Sequence, residues 1–219
     1  MIPKAERLAV VLEAGDKRVF ASAADWPGWS RSGKTDEAAI EALVAYASRY
    51  APVVSRAGFA LPDSIEVDVL ERNAGGGGTD FGVPSRVSDA DGRKVSEADA
   101  ERLAAIVEAA WTTFDRVAAG APAELRKGPR GGGRDRDKMV SHVVGADAAY
   151  AREIGLKPRE PDPFDRKAVK ALRDEMLAVL REPSDGSPLA GRKWTVRYAA
   201  HRIAWHALDH AWEMEDRSS

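Results

Sequence analysis

The sequence predicts an α+β protein: a small N-terminal β-sheet with one helix, followed by a four-helix bundle. Three observations predict it. The first seventy residues hold short apolar runs of strand length, separated by turn residues. Residues 73–95 are rich in Gly, Asp, Ser and Arg and carry no apolar period. From residue 96 onward, four long stretches repeat apolar residues at helical spacing. The expected organisation is an αβ domain over 1–72, a linker over 73–95 and a helical bundle over 96–219.

Leu8-Ala9-Val10-Val11-Leu12 reads as a first strand, Gly15-Asp16 as a turn and Arg18-Val19-Phe20-Ala21-Ser22 as a second strand, together a hairpin. Asp25-Trp26-Pro27-Gly28-Trp29 is a break between two tryptophans, either a packed corner or an interface. Thr35 can cap a helix, with Asp36 and Glu37 where the helix dipole favours acids. Ile40, Leu43, Val44 and Ala47 give that helix its apolar side, and Pro52 is expected to end or kink it. Ile65-Glu66-Val67-Asp68-Val69-Leu70 alternates as a strand does.

In the bundle, Ser96 and Asp99 approximate a capping box ahead of the stripe Leu103, Ile106, Val107, Ala110, Trp111, Phe114 and Val117. The next helices are expected over about 135–154, 165–180 and 195–215. Two of the connections are long, which suits a bundle with crossover loops. The basic, Gly-rich stretch from Arg126 to Lys138 lacks the Gly-Lys-Ser/Thr ending of a phosphate loop and the aromatics of a nucleic-acid patch, so it reads as a solvated loop.

Composition narrows the function. The 219 residues are 44% hydrophobic and 31% charged, enough for one or two cores. Lys plus Arg total 33 against 35 Asp plus Glu, so no global field draws the chain to nucleic acid or to an anionic membrane. No run approaches the roughly 18 apolar residues of a membrane helix, and the first seven residues lack the apolar core of a secretory signal. Cysteine is absent, which excludes disulfides, thiolate metal sites and a cysteine nucleophile. A cytoplasmic location is the expectation, and any thiol chemistry must use an external thiol.

The chemistry-bearing residues are the four histidines. His206 and His210 stand four apart on the last helix, which stacks both imidazoles on one side. His142 lies in the frame of Met139, Ala146 and Tyr150 and should face the interior. Three neutral imidazoles from two helices make a metal site with open positions. The spacing alone equally admits packed core histidines. His201, five before His206, falls off that side at about 100° per residue and is expected at the surface or rim. Arg202 shares the side of His206 and could hold a substrate carboxylate, or else pair with a neighbouring helix. Asp209 and Glu213 are candidates to orient an imidazole, or solvated charges. No catalytic residue is assigned.

The stretches Arg134-Asp135-Arg136-Asp137-Lys138-Met139-Val140-Ser141-His142-Val143 and Tyr198-Ala199-Ala200-His201-Arg202-Ile203-Ala204-Trp205-His206-Ala207-Leu208-Asp209-His210-Ala211-Trp212-Glu213 resemble the DinB-like superfamily. The resemblance covers about residues 96–216. It implies an up-up-down-down bundle with a divalent metal, Zn or Ni, on His142, His206 and His210. It also implies a transferase or isomerase that uses a thiol of the mycothiol or bacillithiol type. A small-molecule electrophile and that thiol are the implied partners, and a homodimer is compatible with them.

The stretch Ala24-Asp25-Trp26-Pro27-Gly28-Trp29-Ser30-Arg31-Ser32-Gly33-Lys34-Thr35-Asp36-Glu37-Ala38 resembles HicB-like antitoxin domains over about residues 5–70. No DNA-binding helix-turn-helix follows it. A lid or dimerisation module is implied, and a non-enzymatic binding or regulatory module is the alternative reading of the whole chain.

Overall fold

The computed structural model describes residues 7–62, 64–128 and 133–218. Its N-terminal part is a four-stranded sheet of β1 (Arg7–Ala14), β2 (Val19–Ala23), β3 (Ser30–Gly33) and β4 (Glu66–Ala74), in the order β3-β2-β1-β4. The hairpin β1–β2 and the pair β2–β3 are antiparallel, whereas β4 runs parallel to β1 with a register break between Val10 and Val11. A parallel pair needs a crossover. Here α1 (Asp36–Ala45) and α2 (Ala47–Arg56) supply it.

The expected single helix is therefore two, and the break falls at Tyr46 rather than at Pro52. Pro52 lies inside α2 and cannot serve the carbonyl of Ser48, but Ser48 is exposed, so water can take that carbonyl. Thr35 caps α1 as expected, its hydroxyl accepting from Ala38 N at 3.2 Å. The short, polar β3 has no apolar alternation to mark it in the sequence.

Strands β1 and β2 are covered on both sides, while β4 stays largely exposed. Leu8, Val10 and Leu12 of β1, with Val19, Ala21 and Ala23 of β2, join a large apolar core that also holds Leu43, Tyr50 and the bundle residues. The opposite side carries Val11, Glu13, Phe20 and Ser22, and Phe20 meets Trp205 edge-on at 6.1 Å. The corner between the tryptophans is packed, not an interface. Trp29 is fully buried, donates Nε1 to Leu43 O at 2.8 Å and stacks on Tyr50 at 5.1 Å. Tyr50 in turn donates its hydroxyl to Pro27 O at 2.8 Å. Gly28 has φ +88, and a Cβ there would stand 2.8 Å from Leu208 Cδ1, so both turn and helix contact require glycine.

The span 73–95 holds more structure than a linker. Asn73 and Ala74 complete β4, α3 (Gly77–Phe81) follows, and a 3-10 turn covers Ala90–Gly92. Glu13, buried on β1, holds this span by accepting from Thr79 Oγ1, from Ser85 N at 3.0 Å and from Arg86 N at 3.1 Å.

Four longer helices follow: α4 (Glu97–Gly120), α5 (Arg136–Glu153), α6 (Arg166–Leu180) and α7 (Val196–Ser218), close to the expected limits. The Ser96/Asp99 capping box forms at the start of α4. Helix α7 packs on α4 and α5, and α6 packs on the same two, closing a ring of four. Residues 129–132 of the Gly-rich loop lie outside the described residues, as do the first six of the chain. Among the described residues no helix is long and apolar enough to cross a membrane.

Candidate metal centre

Helix α7 positions most of the chemistry. Thr195 starts it, its Oγ1 accepting from Tyr198 N at 3.1 Å. Alanines 199, 200, 204, 207 and 211 favour the helix and let neighbours approach closely. Helix α7 lies between the sheet and the other helices and is buried on both sides over most of its length.

On the side toward α5, His206 and His210 meet His142. The three ring centroids are 4.7–4.9 Å apart, and His206 Nε2 is 3.1 Å from His142 Nε2. One donor nitrogen from each ring lies within 4.8 Å of the others, so the three could hold a metal ion. Zn–N bonds of about 2.1 Å in a tetrahedron put ligand nitrogens about 3.4 Å apart; His142 and His206 stand at 3.1 Å, and the triad as a whole lies within 4.8 Å.

The electrostatics suit neutral imidazoles, the form that ligates metal. Burial, then the positive neighbours His210 and Arg134, push His142 down to about 4. Burial and the same kind of neighbours hold His206 well below its ordinary value. His206 Nδ1, the ring nitrogen opposite the one that meets His142, is buried with no partner. His210 Nδ1 donates to Glu213 Oε2 at 3.0 Å, and Arg217 Nη1 donates to Glu213 Oε1 at 2.8 Å. The hydrogen bond from His210, ahead of the cost of burial, holds the Glu213 carboxyl below the usual range. Glu213 thereby sets the His210 tautomer and leaves its Nε2 lone pair for the centre of the triad.

The structure brings together His142, His206, His210 and Glu213, and places other expected residues elsewhere. Asp209 does not touch an imidazole but pairs with Arg31 of β3 at 3.1 Å. His201 is half-buried at the rim of α7 that meets the sheet, its Nε2 3.1 Å from Ala24 O. The helical arithmetic correctly put it off the triad's side, but that other side meets the sheet rather than solvent. Arg202 makes no hydrogen bond or ion pair among the described residues. Its guanidinium carbon stands 5.1 Å from the Tyr150 ring centre and 4.8 Å from that of Trp205. Tyr150, expected in the inward frame of His142, has its ring centre 5.6 Å from that of His206.

A cavity of about 620 Å³ lies between α4, α5 and α6 and has no histidine in its wall. A smaller one, about 50 Å³, lies between the sheet and α7 and includes Arg202 and His201 in its wall. Compared with protein-family models, with curated proteins and with solved structures, the chain matches none.

Proposed function

We propose that the protein is a metal-dependent enzyme of the DinB-like kind, with His142, His206 and His210 holding one divalent ion, Zn or Ni. In this reading it transfers an external low-molecular-weight thiol, of the mycothiol or bacillithiol type, to a small electrophile. One observation carries the reading: three imidazoles from two helices converge, and a carboxylate hydrogen-bonds to one of them. The ring of α4 to α7 supports the DinB-like assignment, and the hairpin, Pro-Gly turn and Thr-capped helix support the HicB-like one.

When bound, the ion supplies the Lewis acidity that favours the thiolate form of a thiol at neutral pH. The chain's own residues do the rest. Glu213 accepts the proton at His210 Nδ1 and keeps Nε2 available. Tyr150 packs edge-on against His206 and excludes water from that side. Arg202, one turn before His206, offers an uncompensated positive charge to an anionic group of the substrate. With no cysteine in the chain, the thiol comes from outside.

The test is metal content by mass spectrometry on protein without a histidine tag, beside a His206→Ala/His210→Ala variant. One equivalent in the parent and little in the variant is expected. No metal in the parent after incubation with Zn²⁺ and Ni²⁺ would overturn the reading.

A further inference from the structure

We propose that the cavity between α4, α5 and α6 is a binding site for an uncharged, largely apolar small molecule. It lies on the far side of α5 from the triad. Val140 and Val144 belong to its wall, and at about 100° per residue His142 points away from both. The site therefore does not depend on a metal at the histidines.

Helix α6 packs on α4 and on α5, and the three enclose about 620 Å³. Small-molecule sites typically measure about 300–1,000 Å³. The half-buried Ala118, Val140 and Pro163 line the space, and Phe164 stands at its edge. Buried Phe114, Val144 and Leu177 back this wall with the bundle core.

The wall also holds eight charged residues, and they decide what the cavity can take. Arg136 pairs with Asp137 at 2.8 Å, Lys170 with Asp174 at 2.6 Å, and Glu108 with Arg181 at 3.4 Å. Arg173, the one buried charge among them, is matched twice, by Asp115 at 2.9 Å and Asp147 at 3.1 Å. Arg166 is exposed on the first turn of α6 and keeps its hydration. A charged ligand would give up water against groups that already have partners, whereas an uncharged one has nothing to lose there.

Phe164 supplies a second observation. It is 59% exposed, and among the described residues it is the one exposed large apolar side chain of the helical part. Its place is nonetheless fixed. Its backbone N donates to Asp162 Oδ1 at 2.9 Å, and Asp165 beside it caps α6 through Lys167 N and Ala168 N. An apolar ring held in water at the rim of an apolar cavity gains cover only when the cavity is filled.

Trp111 reports on the site, because it belongs to the wall and its indole donates to Asp147 at 3.1 Å. The probe is naphthalene bearing a hydroxymethyl group, titrated to about 1 mM. Binding is followed by the Trp111 indole resonance in a ¹⁵N–¹H correlation spectrum, assigned with Trp111→Phe. A saturating shift is expected. Naphthalenes bearing a carboxylate or an aminomethyl group instead should bind about fivefold more weakly or worse. Ala118→Phe fills the space and should weaken binding about tenfold or more. Phe164→Ala, an exposed position that leaves the fold intact, should weaken it about threefold. Spectral dispersion shows that each variant is folded. The His206→Gln/His210→Gln variant should keep the shift, and sedimentation should give one mass for the parent and Phe164→Ala. Absence of a saturating shift, or no effect of either wall substitution, would overturn the proposal. So would equal or tighter binding of a charged probe, which would place a charge at Arg166 or at an acid of the wall. Loss of the shift in the histidine variant would move the site to the triad. Self-association abolished by Phe164→Ala would give this face to a second copy of the chain.

Discussion

Helix α5 contributes to two buried polar clusters five residues apart, and they are built on opposite rules. At Asp147 the partners are complementary. Its Oδ1 accepts from Trp111 Nε1 at 3.1 Å and its Oδ2 from Arg173 Nε at 3.1 Å. Arg173 then reaches Asp115 at 2.9 Å. At His142 the partners are alike: three imidazoles of similar character converge, and a buried Nδ1 is left without a partner. The first cluster joins α4, α5 and α6 by opposite charges and leaves no acceptor of Asp147 idle, although Arg173 Nη2 is also buried without a partner. The second gathers bases of one kind, and His206 Nε2 meets His142 Nε2 at 3.1 Å in place of a group of opposite charge. Complementary buried groups hold a fold together, whereas convergent like groups mark a place for a ligand.

The sharpest way to break this comparison is to remove the acid from the first cluster. Asp147→Ala leaves Arg173 buried with only the exposed Asp115 as partner, and should cost about 3 kcal/mol in urea unfolding. The matching change in the second cluster should behave differently. His206→Leu removes an unsatisfied nitrogen, so the metal-free protein should keep its stability or gain up to about 1 kcal/mol. The same variant should lose the stabilisation by Zn²⁺, about 2.7 kcal/mol at a hundredfold excess over Kd, read as a shift in Tm. A large loss of metal-free stability in His206→Leu would make the triad structural and dissolve the contrast.

Smaller effects sharpen the structural half. Glu71 accepts from Ala90 N at 2.8 Å, Asn73 Nδ2 at 2.9 Å and Asp89 N at 3.1 Å. Burial pulls its carboxyl up, but these hydrogen bonds and Ser88 outweigh it and hold the group below its ordinary value. A carboxyl lowered on folding contributes stability above its ordinary range, and that contribution is lost as pH falls through the lowered value. Glu71→Gln should therefore cost about 1.5 kcal/mol at neutral pH, and less in acid, as seen by unfolding at a series of pH values. Last, Ser96→Ala should cost about 1 kcal/mol by removing the cap of α4 and should leave Zn²⁺ binding untouched in calorimetry.

What the sequence showed and what it concealed divide along the same physical line. The four long helices were legible because a period and a cap are local properties, as at Ser96 and Asp99. The triad was legible because two of its members share one helix and the third lies in the inward frame of another. Whether Asp209 or Glu213 orients an imidazole was not legible, because Arg31 comes from β3, far away in sequence, to claim Asp209. The contact of His201 with the sheet was hidden for a similar reason, since no pattern on α7 reveals that a sheet lies across it. Strand β3 offers no apolar alternation, and the Asp147–Arg173 pair resembles surface charge until the helices pack.

Contacts such as Arg31 with Asp209, separated by 178 positions, set how the chain reaches this structure. The Phe20 side of the sheet finds its cover only when Trp205 arrives, and the Pro27-Gly28 turn only when Leu208 does. Loop closure over such distances comes before its reward, so assembly should be slow compared with a simple helical bundle. Until α7 docks, the first hundred residues display an apolar sheet surface and an open strand edge, the features that promote aggregation in partly folded chains.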